Sequence, residues 1–132
     1  MSVSDLIADQ LTVIRNAVRS GKKTAMIKKS RMLEGILDIA KREGFIDNYK
    51  VIEDNKQGMI KVYLKYTDEG VSVLECVEKV STPGRRQYVP AGKVVKVRGG
   101  VGIAIYSTNK GLMTEKEAVS NKIGGELICR MW

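Results

Sequence analysis

The chain has 132 residues, 43% hydrophobic and 29% charged, which suits one domain or two small lobes sharing an interface and excludes intrinsic disorder. A formal charge of +8 and a pI near 9.6 point to a polyanion, either nucleic acid or an anionic membrane surface, and no apolar stretch is long enough to span a bilayer. There is no His, and Cys76 and Cys129 are far apart, so a zinc site lacks ligands and two buried free thiols are expected.

The opening MSVSDLIADQ has neither the basic nor the long apolar region of a secretory leader, so a cytoplasmic location is expected. Ser4-Asp5 supplies a cap for a helix in which Ile7, Leu11, Ile14 and Val18 recur at helical spacing, and Gly21 stops it. TAMI (24–27) reads as a short strand. Ser30 caps a second helix carrying Leu33, Ile36, Leu37 and Ala40, which Gly44 ends. FIDNYKVI and MIKVYLKY flank the turn EDNKQG and predict an antiparallel hairpin, with Ile60, Val62, Leu64 and Tyr66 alternating against Lys61, Tyr63 and Lys65.

The polar TDEG (67–70) is the candidate linker between an N-terminal lobe, 1–66, and a C-terminal lobe, 71–132. The second lobe reads as a strand over 71–80, a Pro83-Gly84 turn of type II, a short strand through Tyr88, the segment GKVVKVRGG and a strong strand VGIAIYS. Thr114 and Glu117 have capping-box spacing for a short helix over 115–121, and after IGG the chain closes with the strand ELICRMW. The expected fold is therefore α+β, in two small α/β lobes. The first is helix-strand-helix-strand-strand; the second is mainly antiparallel β with one short helix.

Charge is unevenly spread. Between Lys79 and Thr114 there is no Asp or Glu, yet this stretch carries Lys79, Arg85, Arg86, Lys93, Lys96, Arg98 and Lys110. Such a stretch repels itself unless an anion lies nearby. In STPGRRQY a stiff turn presents Arg85 and Arg86 beside Tyr88, cations that reach phosphates and a ring that stacks on a sugar or an unstacked base; a solvated face is the competing reading. STNKG ends an apolar strand with small polar groups suited to an RNA minor groove, or forms a plain polar turn. GGVG (99–102) lacks the residues of a phosphate-binding loop and reads as a turn feeding a strand. With no His, no nucleophile elbow and no acid pair in the basic region, catalysis is not expected.

The segments STPGRRQY, GIAIYSTNKGLMTEKEA, IGGELICRMW and IADQLTVIRNA together resemble the bacterial small-subunit ribosomal protein number eight, the S-eight family, over essentially the whole chain. The resemblance implies a primary rRNA-binding protein without enzyme activity or cofactor, docked on the central domain of 16S rRNA and helping to organise the platform. It implies small-subunit proteins five and twelve as neighbours, and in some members binding to the operon's own mRNA. It places the RNA site mostly on the C-terminal lobe: Ser107, Thr108, Asn109 and Lys110 in the turn that enters the RNA, Tyr88 with Arg85 and Arg86 in the second element, and Glu126 after the closing Gly-Gly. Glu126 needs a donor to sit near phosphates, and accepts either from a base amino group or from the Ser107–Thr108 turn; a plain strand-edge Glu is the competing reading.

The family's first helix usually reads DPIADMLTRIRNA, whereas here Leu6 replaces the Pro, Gln10 the Met and Val13 the Arg. A cation is thus lost at position 13, leaving Arg15, Asn16, Lys28 and Lys29 as first-lobe candidates. Gln87 stands where an apolar residue is more usual. Two other readings compete: a non-ribosomal RNA-binding or mRNA-regulating protein of the same fold, and an adaptor for an acidic protein.

Overall fold

The computed structural model describes residues 5–94 and 102–132. Among them, in chain order, are α1 (Leu6–Arg19), β1 (Thr24–Lys28), α2 (Arg31–Arg42), β2 (Ile46–Ile52), β3 (Met59–Leu64), β4 (Val77–Lys79), β5 (Tyr88–Val89), β6 (Ile103–Thr108), β7 (Gly111–Thr114), α3 (Glu115–Ser120) and β8 (Gly125–Met131). The fold is α+β, as expected.

Each helix begins where a side-chain oxygen meets an orphan amide. Asp5 Oδ1 accepts from the Ala8 amide at 3.1 Å and Ser30 Oγ from the Leu33 amide at 3.1 Å. Thr114 and Glu117 form the reciprocal capping box of α3. The first two helices turn Leu11, Ile14 and Ala17, and Leu33, Ile36, Leu37 and Ala40, into the core. They cover one face of a three-stranded antiparallel sheet ordered β1-β3-β2. On its inner face Ile60, Val62 and Leu64 of β3 alternate with outward residues, the period a half-buried strand requires.

The second sheet is antiparallel with order β4-β8-β6-β7, and β4 and β5 follow one another along β8. One apolar core joins the two sheets: Leu74, Val77, Ile103, Ile105, Ile128, Cys129 and Met131 pack with the helix residues of the first lobe. At Gly35 of α2 a Cβ would lie 2.5 Å from Leu112 Cδ1 of β7, so the glycine lets the helix seat on that strand.

Two local expectations change. The strand expected over 71–80 is divided between the sheets: Val73 N donates to Lys65 O at the end of β3, whereas Cys76 exchanges backbone bonds with Trp132 and only Val77–Lys79 forms a strand on β8. The Pro83-Gly84 turn is not of type II. Thr82 and Arg85 exchange both backbone hydrogen bonds, at 3.1 and 3.0 Å, but Gly84 is not among the glycines with positive φ, and Pro at the first central position suits a type I turn equally. The GKVVKVRGG segment beyond Val94, including Lys96 and Arg98, the start of VGIAIYS, most of GGVG, and Ser4 lie outside the described residues. Cys129 is buried and Cys76 half-buried, both free.

Candidate nucleic-acid interface

Strand register assembles the C-terminal candidates. Residue 126 of β8 pairs with Tyr88 of β5 on one side and with Ser107 of β6 on the other. Directly opposed residues share a face, so Tyr88, Glu126 and Ser107 form one row across three strands. The two glycines that begin β8's approach make this possible. A Cβ at Gly124 would collide with the Val89 carbonyl and come within 2.6 Å of the Ala91 nitrogen, and one at Gly125 would collide with the Ser107 carbonyl. Any side chain there would push β5 and β6 away from β8. Tyr88 is 70% exposed, a free ring at the end of the row.

The Glu126 carboxylate is held within the protein. Ser81 Oγ donates to its Oε2 at 2.5 Å, and an Arg86 N–H donates to the same oxygen at 3.1 Å. Ser81 is completely buried, and its hydroxyl also accepts from the Gln87 amide at 3.1 Å. The carboxylate thus ties both ends of the STPGRR turn to β8. Lys79 extends the tie: its ammonium meets Asp5 Oδ2 at 3.2 Å and also donates to the Ser81 carbonyl. Asp5 therefore caps α1 with one oxygen and holds the turn through Lys79 with the other. Of the two donors the sequence offers Glu126, a base amino group or the Ser107–Thr108 turn, the turn makes no hydrogen bond to it among the described residues; its protein partners are Ser81 and Arg86. Asp5, Lys79 and Ser81 were missed as positioning residues, although Ser81 opens the very motif that carries the arginines.

At the tip of the β6–β7 hairpin, Thr108 pairs with Gly111. Asn109 and Lys110 keep negative φ while Gly111 stands at φ 102°, the arrangement of a type I turn closed by a glycine bulge. Thr108 Oγ1 donates to the Gly111 carbonyl at 2.9 Å and accepts from the Lys110 amide at 3.1 Å, so its hydroxyl shapes the turn. The Ser107 hydroxyl has no hydrogen bond among the described residues and points from the row beside Glu126. Asn109 and Lys110 are exposed at the tip, and Arg85 is exposed at the other turn without an ion pair among the described residues.

The first-lobe candidates lie elsewhere. Asn16 is exposed on α1, and the eleven residues separating it from Asp5 place it about 16 Å along the helix from the Lys79 tie. Lys28 is exposed at the end of β1, and Lys29 is 3.6 Å from Glu53. Arg15 turns inward, donating to the Val77 carbonyl at 3.3 Å and to Thr12 Oγ1 at 3.4 Å. No hydrogen bond or ion pair among the described residues joins Asn16, Lys28 or Lys29 to the row on β8.

Among the described residues, an exposed ring, an unpartnered hydroxyl and a clamped carboxylate, flanked by cations, can bind but offer no reacting pair. Among the described residues no group of three His, Cys, Asp or Glu could hold a metal. The family model described as Ribosomal protein S8 matches residues 5–132. Curated relatives named small ribosomal subunit protein uS8 match along their length: that of Geotalea daltonii is 48% identical with 100% of both chains covered. Those of Petrotoga mobilis and Geobacter sulfurreducens are 49% and 46% identical, covering 98% and 100% of each chain.

The chain belongs to the ribosomal protein S8 family. It is accordingly a structural, non-enzymatic constituent of the small ribosomal subunit, a ribonucleoprotein component of translation that resides in the cytoplasm within the ribosome.

Membership also gives the departures from the S8 pattern a setting. Gln10 is buried, and its Oε1 accepts from the Lys28 amide at 2.9 Å, pinning the end of β1 to α1. Val13 is exposed and borders a groove of about 540 Å³ between α1 and β1 with Asn16, Ser20, Lys22 and Met26. Gln87 acts through its backbone, donating to Ser81 Oγ and accepting from the Leu127 amide, which leaves its side chain free to vary. Nothing in the structure explains Leu6.

Proposed function

We propose that the chain is a primary rRNA-binding protein that recognises the central domain of 16S rRNA and helps assemble the platform, beside small-subunit proteins five and twelve. The observation that carries this reading is the row Tyr88–Glu126–Ser107, set by strand register and flanked by Arg85 and by the Asn109–Lys110 tip. A ring at one end can stack on a nucleotide, and the Ser107 hydroxyl at the other end, without a hydrogen bond among the described residues, can bond a 2′-hydroxyl or a base edge, which is the chemistry an RNA minor groove exposes. Arg85 and Lys110 lie where phosphates would flank such a contact and supply affinity without sequence preference. Glu126 acts by holding Arg86 and the turn, which answers how a carboxylate tolerates nearby phosphates: its charge is already neutralised. Thr108 shapes the hairpin, and Lys28, Lys29 and Asn16 contact RNA away from this row.

The test is whether the tagged chain co-sediments with small subunits and binds a central-domain rRNA fragment with a log–log salt slope of several units, as released counterions require. Arg85→Ala is expected to lower that slope by about one while preserving sequence preference. A flat salt response overturns the reading. Tight binding to an mRNA hairpin without co-sedimentation would support repression of the chain's own message instead, and preference for an acidic protein would support an adaptor.

A further inference from the structure

The open face of the first sheet has a composition that the interface on β8 does not use. Register places Thr24, Met26 and Lys28 of β1 opposite Tyr63, Lys61 and Met59 of β3. It places Asn48, Lys50 and Ile52 of β2 opposite those same three β3 residues. Directly opposed residues lie on one side of a sheet, and the other side holds the buried Ala25, Ile27, Ile60 and Val62, so these nine residues form the outward face. It carries three lysines, one tyrosine, Asn and Thr, with Met26, Met59 and Ile52 as its apolar members and no carboxylate among the nine; Asp47, at the β2 bulge, borders it in a hollow shared with Asn48, Lys50 and Tyr63.

Lys50 and Lys61 are directly opposite, an arrangement that costs stability when nothing neutralises it. Among the described residues neither they nor the Lys28 ammonium makes an ion pair; Lys61 Nζ instead lies 5.4 Å from the centre of the Tyr63 ring. Strand spacing keeps the three cations within a patch on the order of 10 Å across. Neither helix covers this face, since both pack on the inner one.

We infer that this sheet face is a second RNA-contacting surface, separate from the row on β8, which receives an rRNA backbone on Lys28, Lys50 and Lys61 while Tyr63 lies against a sugar or base. The charge pattern selects the occupant: three lysines that make no ion pair among the described residues and outnumber the single bordering acid, Asp47, fit closely spaced phosphates, and a ring with Asn and Thr beside them fits a nucleotide. An apolar protein partner would leave three ammonium groups desolvated without counter-charge. The inference rests on the reading of the chain as a small-subunit rRNA-binding protein.

Two measurements test it. The Lys50→Gln/Lys61→Gln variant, with its melting temperature checked, is titrated with full-length small-subunit rRNA. Its log–log salt slope is expected to fall by about 1.5 units, the loss for two phosphate contacts. In parallel, Asn48→p-benzoylphenylalanine is photoactivated in assembled small subunits, and the label is expected on rRNA. An unchanged slope overturns the inference, as does label found only on a neighbouring protein or on no molecule. If the unaltered chain itself does not enter small subunits, the broader reading fails and this one with it; entry without rRNA label removes the sheet face alone.

Discussion

Replacing Glu126 with Gln tests the clamp on which the C-terminal row depends. The carboxylate accepts from the buried Ser81 hydroxyl at 2.5 Å and from Arg86 at 3.1 Å, and its own side chain is only 17% exposed. An amide oxygen still accepts from Ser81, but the bond ceases to be charge-assisted, a loss of about 1 kcal/mol. Arg86 is half exposed, so the screened ion pair adds only about 0.5 kcal/mol. Glu126→Gln should therefore lower stability by about 1.5 kcal/mol, or about 5 °C in Tm for a chain of this length. Losing roughly 1 kcal/mol of preorganisation in the turn should weaken binding to the central-domain fragment by about fivefold, with the salt slope retained. A simple charge argument has the opposite sign, because a negative group has left the neighbourhood of phosphates. Denaturant melts and binding titrations at two salt concentrations separate them. Ser81→Ala in a double-mutant cycle should show coupling of about 1 kcal/mol with Glu126→Gln. A folded Glu126→Gln protein with unchanged Tm and tighter RNA binding would refute the clamp.

Gly124→Ala should cost about 2–3 kcal/mol and weaken RNA binding, because its Cβ meets backbone of residues 89–91 that cannot yield, whereas Gly84→Ala, with nothing within 4 Å, should be nearly neutral; equal melting curves would show that β5 is free to move. Ser107→Ala should reduce discrimination between specific and mismatched RNA at constant salt slope and leave Tm unchanged, while Thr108→Ala should also lower Tm by loosening its turn; indistinguishable variants would contradict this division of roles. Burial pushes the Cys129 thiol up from its ordinary 9.0 to about 12, with nearby Lys79 opposing the shift. The folded state thus holds that proton more tightly, so its stabilising contribution is whole below about pH 9 and is lost as pH rises toward 12, by about 1.4 kcal/mol per unit. Urea melts at pH 8 and 10 should show this decline, and Cys129→Ala should flatten that part of it.

Much of this protein is local physics and therefore legible in the chain. The caps at Asp5, Ser30 and Thr114 are side chains within three residues of the amides they bind, and the alternation of Ile60, Val62 and Leu64 records a sheet with one buried face. Pro83-Gly84 marked a turn but not its type, because Pro fits the first position of types I and II alike and only the φ of Gly84 separates them. The strand expected over 71–80 failed for a non-local reason: the end of β3 claims residue 73 and the C-terminal end of the chain claims 75 onward. In the site, STPGRR, STNKG and the closing Gly-Gly were visible as separate motifs, whereas their meeting was not. Glu126 lies 45 residues from Ser81, and Lys79 lies 74 from Asp5. Bonds at such separations depend on strand register and on which face each residue takes, and a one-residue slip would reverse both. Composition and short motifs thus determined that this is a basic α+β protein carrying RNA-suited turns. Tertiary structure alone decided which carboxylate neutralises which arginine, which hydroxyl is left without a partner among the described residues, and that three lysines share one open face.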